Sequence, residues 1–119
     1  MVIRALRGAT TCEIDGAPEI CTATGELLTQ MLSVNGLEIG NVVSLWLTVT
    51  NDLRSEFPAR GARDVGWGDV PMLCAQEIDV PGALPRCIRA MVHVELIADR
   101  SLSPVYLGRA RELRPDHRR

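Results

Sequence analysis

From Cys87 to Ala98 apolar and polar residues alternate, with Ile88, Ala90, Val92, Val94 and Leu96 on one side and Arg89, Met91, His93 and Glu95 on the other. A period of two sends successive side chains to opposite faces of a sheet, so this segment predicts a strand with one buried face. Residues 2 to 12 alternate in the same way, with Ile3, Ala5 and Arg7 on one face and Val2, Arg4 and Leu6 on the other. The run VVSLWLTVT from Val42 to Thr50 is apolar and β-branched, bounded at both ends and too short for a long helix, and predicts a buried strand. Shorter strands are predicted over residues 72 to 78, after Pro71, and over residues 105 to 113.

Between the first two strands the period changes. Ile20, Leu27, Leu28, Met31 and Val34 recur at helical spacing. Asp15 predicts the cap of a helix starting near Gly16, Pro18 suits its first turn, and Asn35-Gly36 supplies its stop. Gly25 costs such a helix about 1 kcal/mol against alanine, which predicts close packing there on a sheet. Pro58 opens a short helix to about Val65, in which Arg60 and Arg63, three residues apart, share a face before Gly66 and Gly68 end it. The segments NDLRSEF and DVPGALPR read as irregular connections. The order β-α-β-α-β-β-β predicts an α+β fold, a mixed five-stranded sheet with one long and one short helix on one face. Two helices leave apolar sheet uncovered, which predicts self-association, most simply as a closed ring.

Composition narrows the classes of function. At 119 residues the chain predicts a single domain over 1–119, with residues 114–119 as a polar tail. All 13 cationic side chains are arginine, a pattern that codon bias also explains; in either case guanidinium is a permanently charged fork that pairs carboxylates bidentately. A net charge of −2 argues against a nucleic-acid footprint. Cys12, Cys21, Cys74 and Cys87 form no C-x-x-C pair, and the first residues carry no apolar leader, which together predict a cytoplasmic protein. No apolar run reaches the roughly 18 residues of a membrane span. His93 and His117 make no metal-ligand pattern, and no nucleophile elbow, P-loop or dinucleotide fingerprint is present. What remains is a set of arginines, Arg7, Arg60, Arg63, Arg89 and Arg114, with Glu77 and Tyr106. That set suits a small polyanion held by ion-paired hydrogen bonds rather than a substrate attacked by the protein.

In collinear order the chain carries RGATT, FPA followed by Arg60 and Arg63, VP followed by CAQEIDV, CIR opening the long strand, VYL, and LRPD. Together these resemble the monofunctional chorismate mutases of the trimeric pseudo-α/β-barrel class, over Ile3 to Asp116. The resemblance implies a cofactor-free, metal-free isomerase of aromatic amino acid biosynthesis. Its reaction is the pericyclic [3,3] rearrangement of chorismate to prephenate, which needs no proton transfer and no covalent intermediate. It further implies a homotrimer with active sites between subunits. Arg89 would lie against the ether oxygen and a carboxylate, Arg7 near the ether bridge, Glu77 at the ring hydroxyl and Tyr106 at a carboxylate. Phe57 and Ala59 would supply an apolar wall, Cys74 would line the pocket as a small polar neighbour, Leu73 and Ala75 would add wall and backbone groups, and Arg60, Arg63 and Arg114 would surround the mouth, with Phe57 through Cys74 coming from the neighbouring subunit. The chain departs from that pattern at Arg60, where lysine is common, in a short loop between Leu96 and Val105, and at Gly108 in the last strand. An imine hydrolase of related trimeric architecture, or a non-catalytic trimer binding a carboxylate metabolite, would share the arginines. Glu77 with paired Arg7 and Arg89 favours the mutase, because an imine hydrolase needs one carboxylate clamp and a positioned water.

Overall fold

The computed structural model describes residues 1–113. The elements run β1 (Val2–Thr11), α1 (Ala17–Val34), a 3-10 turn (Ile39–Asn41), β2 (Val42–Val49), α2 (Pro58–Asp64), β3 (Met72–Gln76), β4 (Cys87–Leu96), β5 (Val105–Tyr106) and a second 3-10 turn (Gly108–Glu112). The strands form one mixed sheet in the order β3-β2-β4-β1-β5. β4 runs antiparallel to both β1 and β2, whereas β3 joins β2, and β5 joins β1, in parallel.

The alternation of β4 is kept residue for residue. Ile88, Ala90, Val92, Val94 and Leu96 are buried, as are Leu45 and Leu47 of β2 and Leu6 of β1. These side chains share one core with Ile20, Leu27, Leu28 and Met31 of α1 and with Ala62 and Trp67 at α2 and beyond it. Both helices therefore cover one face of the sheet. The opposite face keeps Ile3, Trp46 and Leu73 exposed at 54%, 47% and 59%, the uncovered apolar surface that the element count predicts.

Five local expectations are corrected. Asp15 does not cap α1: Gly16 is the N-cap with no side-chain bond. The Asp15 carboxylate instead accepts the backbone N–H groups of Arg54 and Ser55 at 2.9 and 3.0 Å. Those bonds, that of Arg54 foremost, hold its carboxyl below the ordinary range. Gly25 packs against α2 and not against the sheet, since a Cβ there would meet Val65 Cγ1 at 2.9 Å. The reciprocal contact is tighter: a Cβ on Gly61 would stand 2.5 Å from the Cys21 carbonyl oxygen. α1 meets the sheet at Gly8, where a Cβ would meet Met31 Sδ at 2.6 Å.

The last predicted strand stops at Tyr106. Gly108 adopts φ +56°, a left-handed conformation that turns the chain out of the sheet, and the Arg109 N–H then donates to Thr11 Oγ1 at 3.0 Å. Regular pairing also ends earlier than expected in β3, at Gln76, and in β4, at Leu96. Even so, the Glu77 N–H donates to the Val49 carbonyl at 2.8 Å and extends the β3 line by one bond. The stop at Asn35 does more than end α1. Its side-chain amide donates to the Met31 and Ser103 carbonyls, its oxygen accepts from Ser103 N–H, and its carbonyl accepts from Arg100, so the 100–103 loop is tied to the helix end.

Candidate active site

Register brings the chemistry-bearing residues together. Ala75 on β3 pairs with Thr48 on β2, Thr48 with Arg89 on β4, Arg89 with Ala9 on β1, and Ala9 with Tyr106 on β5. One row thus crosses all five strands on the face turned away from the helices. In the neighbouring row Trp46, Met91 and Arg7 stand side by side. Arg7, Thr48, Glu77, Arg89 and Tyr106 line a half-open cavity of about 340 Å³, walled by Trp46, Met91 and Leu113. That volume lies in the range of small-ligand sites.

The turn into β4 is held by the chain around it. Arg86 adopts φ 49°, in the left-handed region. Its N–H donates to both Asp52 carboxylate oxygens, at 3.1 and 3.0 Å, and its Nε to the Cys12 carbonyl at 3.0 Å. The Cys87 N–H donates to Thr50 Oγ1 at 2.9 Å. Arg89 therefore leaves a fixed strand start, although its side chain is 51% exposed.

Arg89 Nε stands 3.0 Å from Glu77 Oε1 as an ion pair, and Thr48 Oγ1 donates to the same oxygen at 2.7 Å. Cys87, Tyr106, Ala9 and Ala110 form a small second core at this end of the face. Burial pushes the Cys87 thiol up from its ordinary value, against the pull of the Arg89 guanidinium, so the thiol stays neutral beside the cation. Arg7 has no ion-pair partner among the described residues. The cavity thus presents two guanidiniums, one carboxylate and one phenol on an apolar floor, a donor-rich surface for an anion bearing a hydroxyl.

The other predicted residues lie elsewhere on the chain. Phe57, Cys74 and Ala75 border a second open cavity of about 370 Å³, with Glu56 and Pro58. Phe57 is 70% exposed. Ala59 is buried in the main core, and Leu73 is exposed beside Trp46, its register partner. Arg60 and Arg63 are exposed on α2, with Arg60 paired to Glu56 at 3.4 Å, and neither borders either cavity. Arg114 lies outside the described residues. Thr48, Trp46, Met91 and Leu113 were not among the sequence-predicted site residues. Trp46 and Thr48 share the face of β2 opposite Leu45 and Leu47, a signal in the alternation that became useful only with the register.

A family model described as chorismate mutase type I matches residues 3–117. The chain is 42% identical over 118 residues to the chorismate mutase AroH of Bacillus subtilis, spanning 98% of this chain and 93% of that one. It is 45% identical over 118 residues to the AroH of Thermus thermophilus, spanning 97% and 96%. A solved chorismate mutase from Clostridium thermocellum superposes with a TM-score of 0.84 at 45% identity, over 88% of this chain and 96% of that one. With a matching model over nearly its whole length and relatives this similar, the chain belongs to the type I chorismate mutase family.

Proposed function

We propose that this chorismate mutase runs its rearrangement in a cleft completed by a neighbouring subunit of a homotrimer, with Arg89, Glu77 and Arg7 as catalytic groups. The observation that carries the reading is the convergence of Arg7, Glu77, Arg89 and Tyr106 on one half-open cavity. A second open cavity on the same chain offers the complementary surface around Phe57, Cys74 and Ala75. The first is lined by Arg7 and Arg89, and the second adds the exposed ring of Phe57. Ala59 and Leu73 would back the second half, Arg60, Arg63 and Arg114 would draw the dianion to the mouth, and the whole chain would act as one domain.

Chorismate becomes prephenate as the enolpyruvyl C–O bond breaks and a new C–C bond forms, with no atom gained or lost. The protein therefore acts by holding the compact conformer and by stabilising the charge that grows on the ether oxygen. Arg89 meets that oxygen, Arg7 grips the ether side of the substrate, Glu77 accepts the ring hydroxyl and Tyr106 donates to a carboxylate. Enzymatic accelerations begin near 8 kcal/mol, and a single well-placed donor to developing charge supplies about 2.7 to 4 kcal/mol. Arg89 alone thus carries a large share. Four free thiols in the described chain suit the reducing cytoplasm in which we place the reaction.

Subunit complementation tests the shared cleft. Arg89→Gln spoils one half, and Phe57→Asp spoils the other by setting a carboxylate against a dianion. Dissociating the two inactive proteins and reassembling them in equal amounts should restore about a quarter of the sites, measured as loss of chorismate diene absorbance. Recovery of no activity in verified mixed trimers would place both halves on one subunit and overturn the reading.

A further inference from the structure

We propose that Thr48 is a positioning residue for the rearrangement: its hydroxyl fixes the Glu77 carboxylate so that one oxygen is occupied and the other is left for the substrate. The inference rests on the role given to Glu77 above and adds a residue to it. Glu77 lies one position beyond β3, its backbone held by the N–H to Val49 carbonyl bond. Three side-chain torsions separate that anchor from the carboxylate, so the backbone alone does not aim it. Thr48 Oγ1 donates to Oε1 at 2.7 Å, and Arg89 Nε approaches the same oxygen to 3.0 Å. Among the described residues Thr48 is the hydrogen-bond donor to this carboxylate, and Oε2 has none.

Thr48 is suited to this role by its type and its place. A β-branched side chain in a strand has restricted χ1, so the hydroxyl direction is set by the backbone. In register Thr48 lies directly across from Arg89, and its other neighbour is Ala75, too small to displace the carboxylate. Thr48 itself is half-buried, whereas the Arg89 side chain is half in solvent and screened. A bond of 2.7 Å to an ionised carboxylate is of the short, charge-assisted kind. With Oε1 shared by Thr48 and Arg89, Oε2 is the acceptor that remains for the ring hydroxyl. The same arrangement restrains the guanidinium through its Nε.

The test compares Thr48→Val, which keeps shape and branching, with Thr48→Ser, which keeps the hydroxyl, in the full-length enzyme. Removing a hydrogen bond to a charged group should lower kcat/KM about tenfold in Thr48→Val, and Thr48→Ser should recover most of it. Trimer mass and thermal unfolding are measured for both, because a purely structural role would change them together with activity, and serine would then give no selective rescue. Each substitution is repeated in a Glu77→Gln background. The coupling expected is near-complete, Thr48→Val costing little further once Glu77 is neutral. If Thr48→Val loses the same factor in both backgrounds, or loses nothing in the wild type, the positioning role is overturned while that of Glu77 stands. If Glu77→Gln itself leaves kcat/KM unchanged, the reading of the site fails first, and independently of Thr48.

Discussion

Arg89 combines three properties that a surface cation rarely shares. It starts from a fixed turn at Arg86, stands in register between Thr48 and Ala9, and is paired with Glu77 while still half exposed. A half-exposed ion pair contributes only about 0 to 1 kcal/mol to folding, so its worth is in orientation. Arg89→Gln should therefore leave urea unfolding nearly unchanged. It should lower kcat by about a hundred- to a thousandfold, with a smaller change in KM, because the lost charge matters most when the ether oxygen gains density. Steady-state kinetics beside a denaturation curve check this, and equal modest losses in kcat and 1/KM would speak for simple binding. Residue identity was legible here: arginine on the polar side of an alternating strand cannot be core. Its partner Thr48 was not legible, because β2 reads as uniformly buried until its outer face is found to lack a covering layer.

At the scale of elements, the contact between α1 and α2 sets how the short helix and its flanking loop are presented. The two helices approach through Gly25 and Gly61, and the obstacle at Gly61 is the Cys21 carbonyl and Cα, which are backbone atoms that cannot swing aside. Gly61→Ala should therefore destabilise the fold by about 1 to 3 kcal/mol. Gly8→Ala should cost less, since its Cβ meets the sulfur of flexible Met31. Chemical denaturation of the two variants decides the order, and a reversed order would mean that α2 shifts freely. Gly25 in a helical stripe signals close packing, and its neighbour is α2 in place of the sheet. Helical periodicity says which residues share a face but not which element lies against it.

For the molecule as a whole, the uncovered sheet face is the dominant feature. Ile3, Trp46 and Leu73 stand in solvent on the side that also bears Arg7 and Arg89. Large apolar side chains exposed on one sheet face mark association, and the shared-cleft reading makes assembly and turnover one property. Ile3→Asp should leave the circular dichroism of the fold intact, because Ile3 is 54% exposed and outside the core. In the same protein light scattering should report a smaller species and chorismate turnover should be lost. A variant that dissociates and keeps full activity would separate the two properties and refute the shared cleft.

Several features of this protein were settled by the chain read as a string. The alternation of residues 87–96 fixes which side chains face the core and which face outward, since that choice depends only on a period of two. The spacing from Ile20 to Met31 sets the buried stripe of the long helix in the same local way, and proline and glycine mark the breaks. Tertiary structure decided what depends on distant partners. Asp15 turned to the 54–55 backbone, Gly108 folded the last segment into a 3-10 turn against Thr11, and register alone drew Thr48, Arg89, Ala9 and Tyr106 into one row. Periodicity fixes the direction of a side chain; pairing between strands far apart in sequence fixes its neighbours, and catalysis needs both.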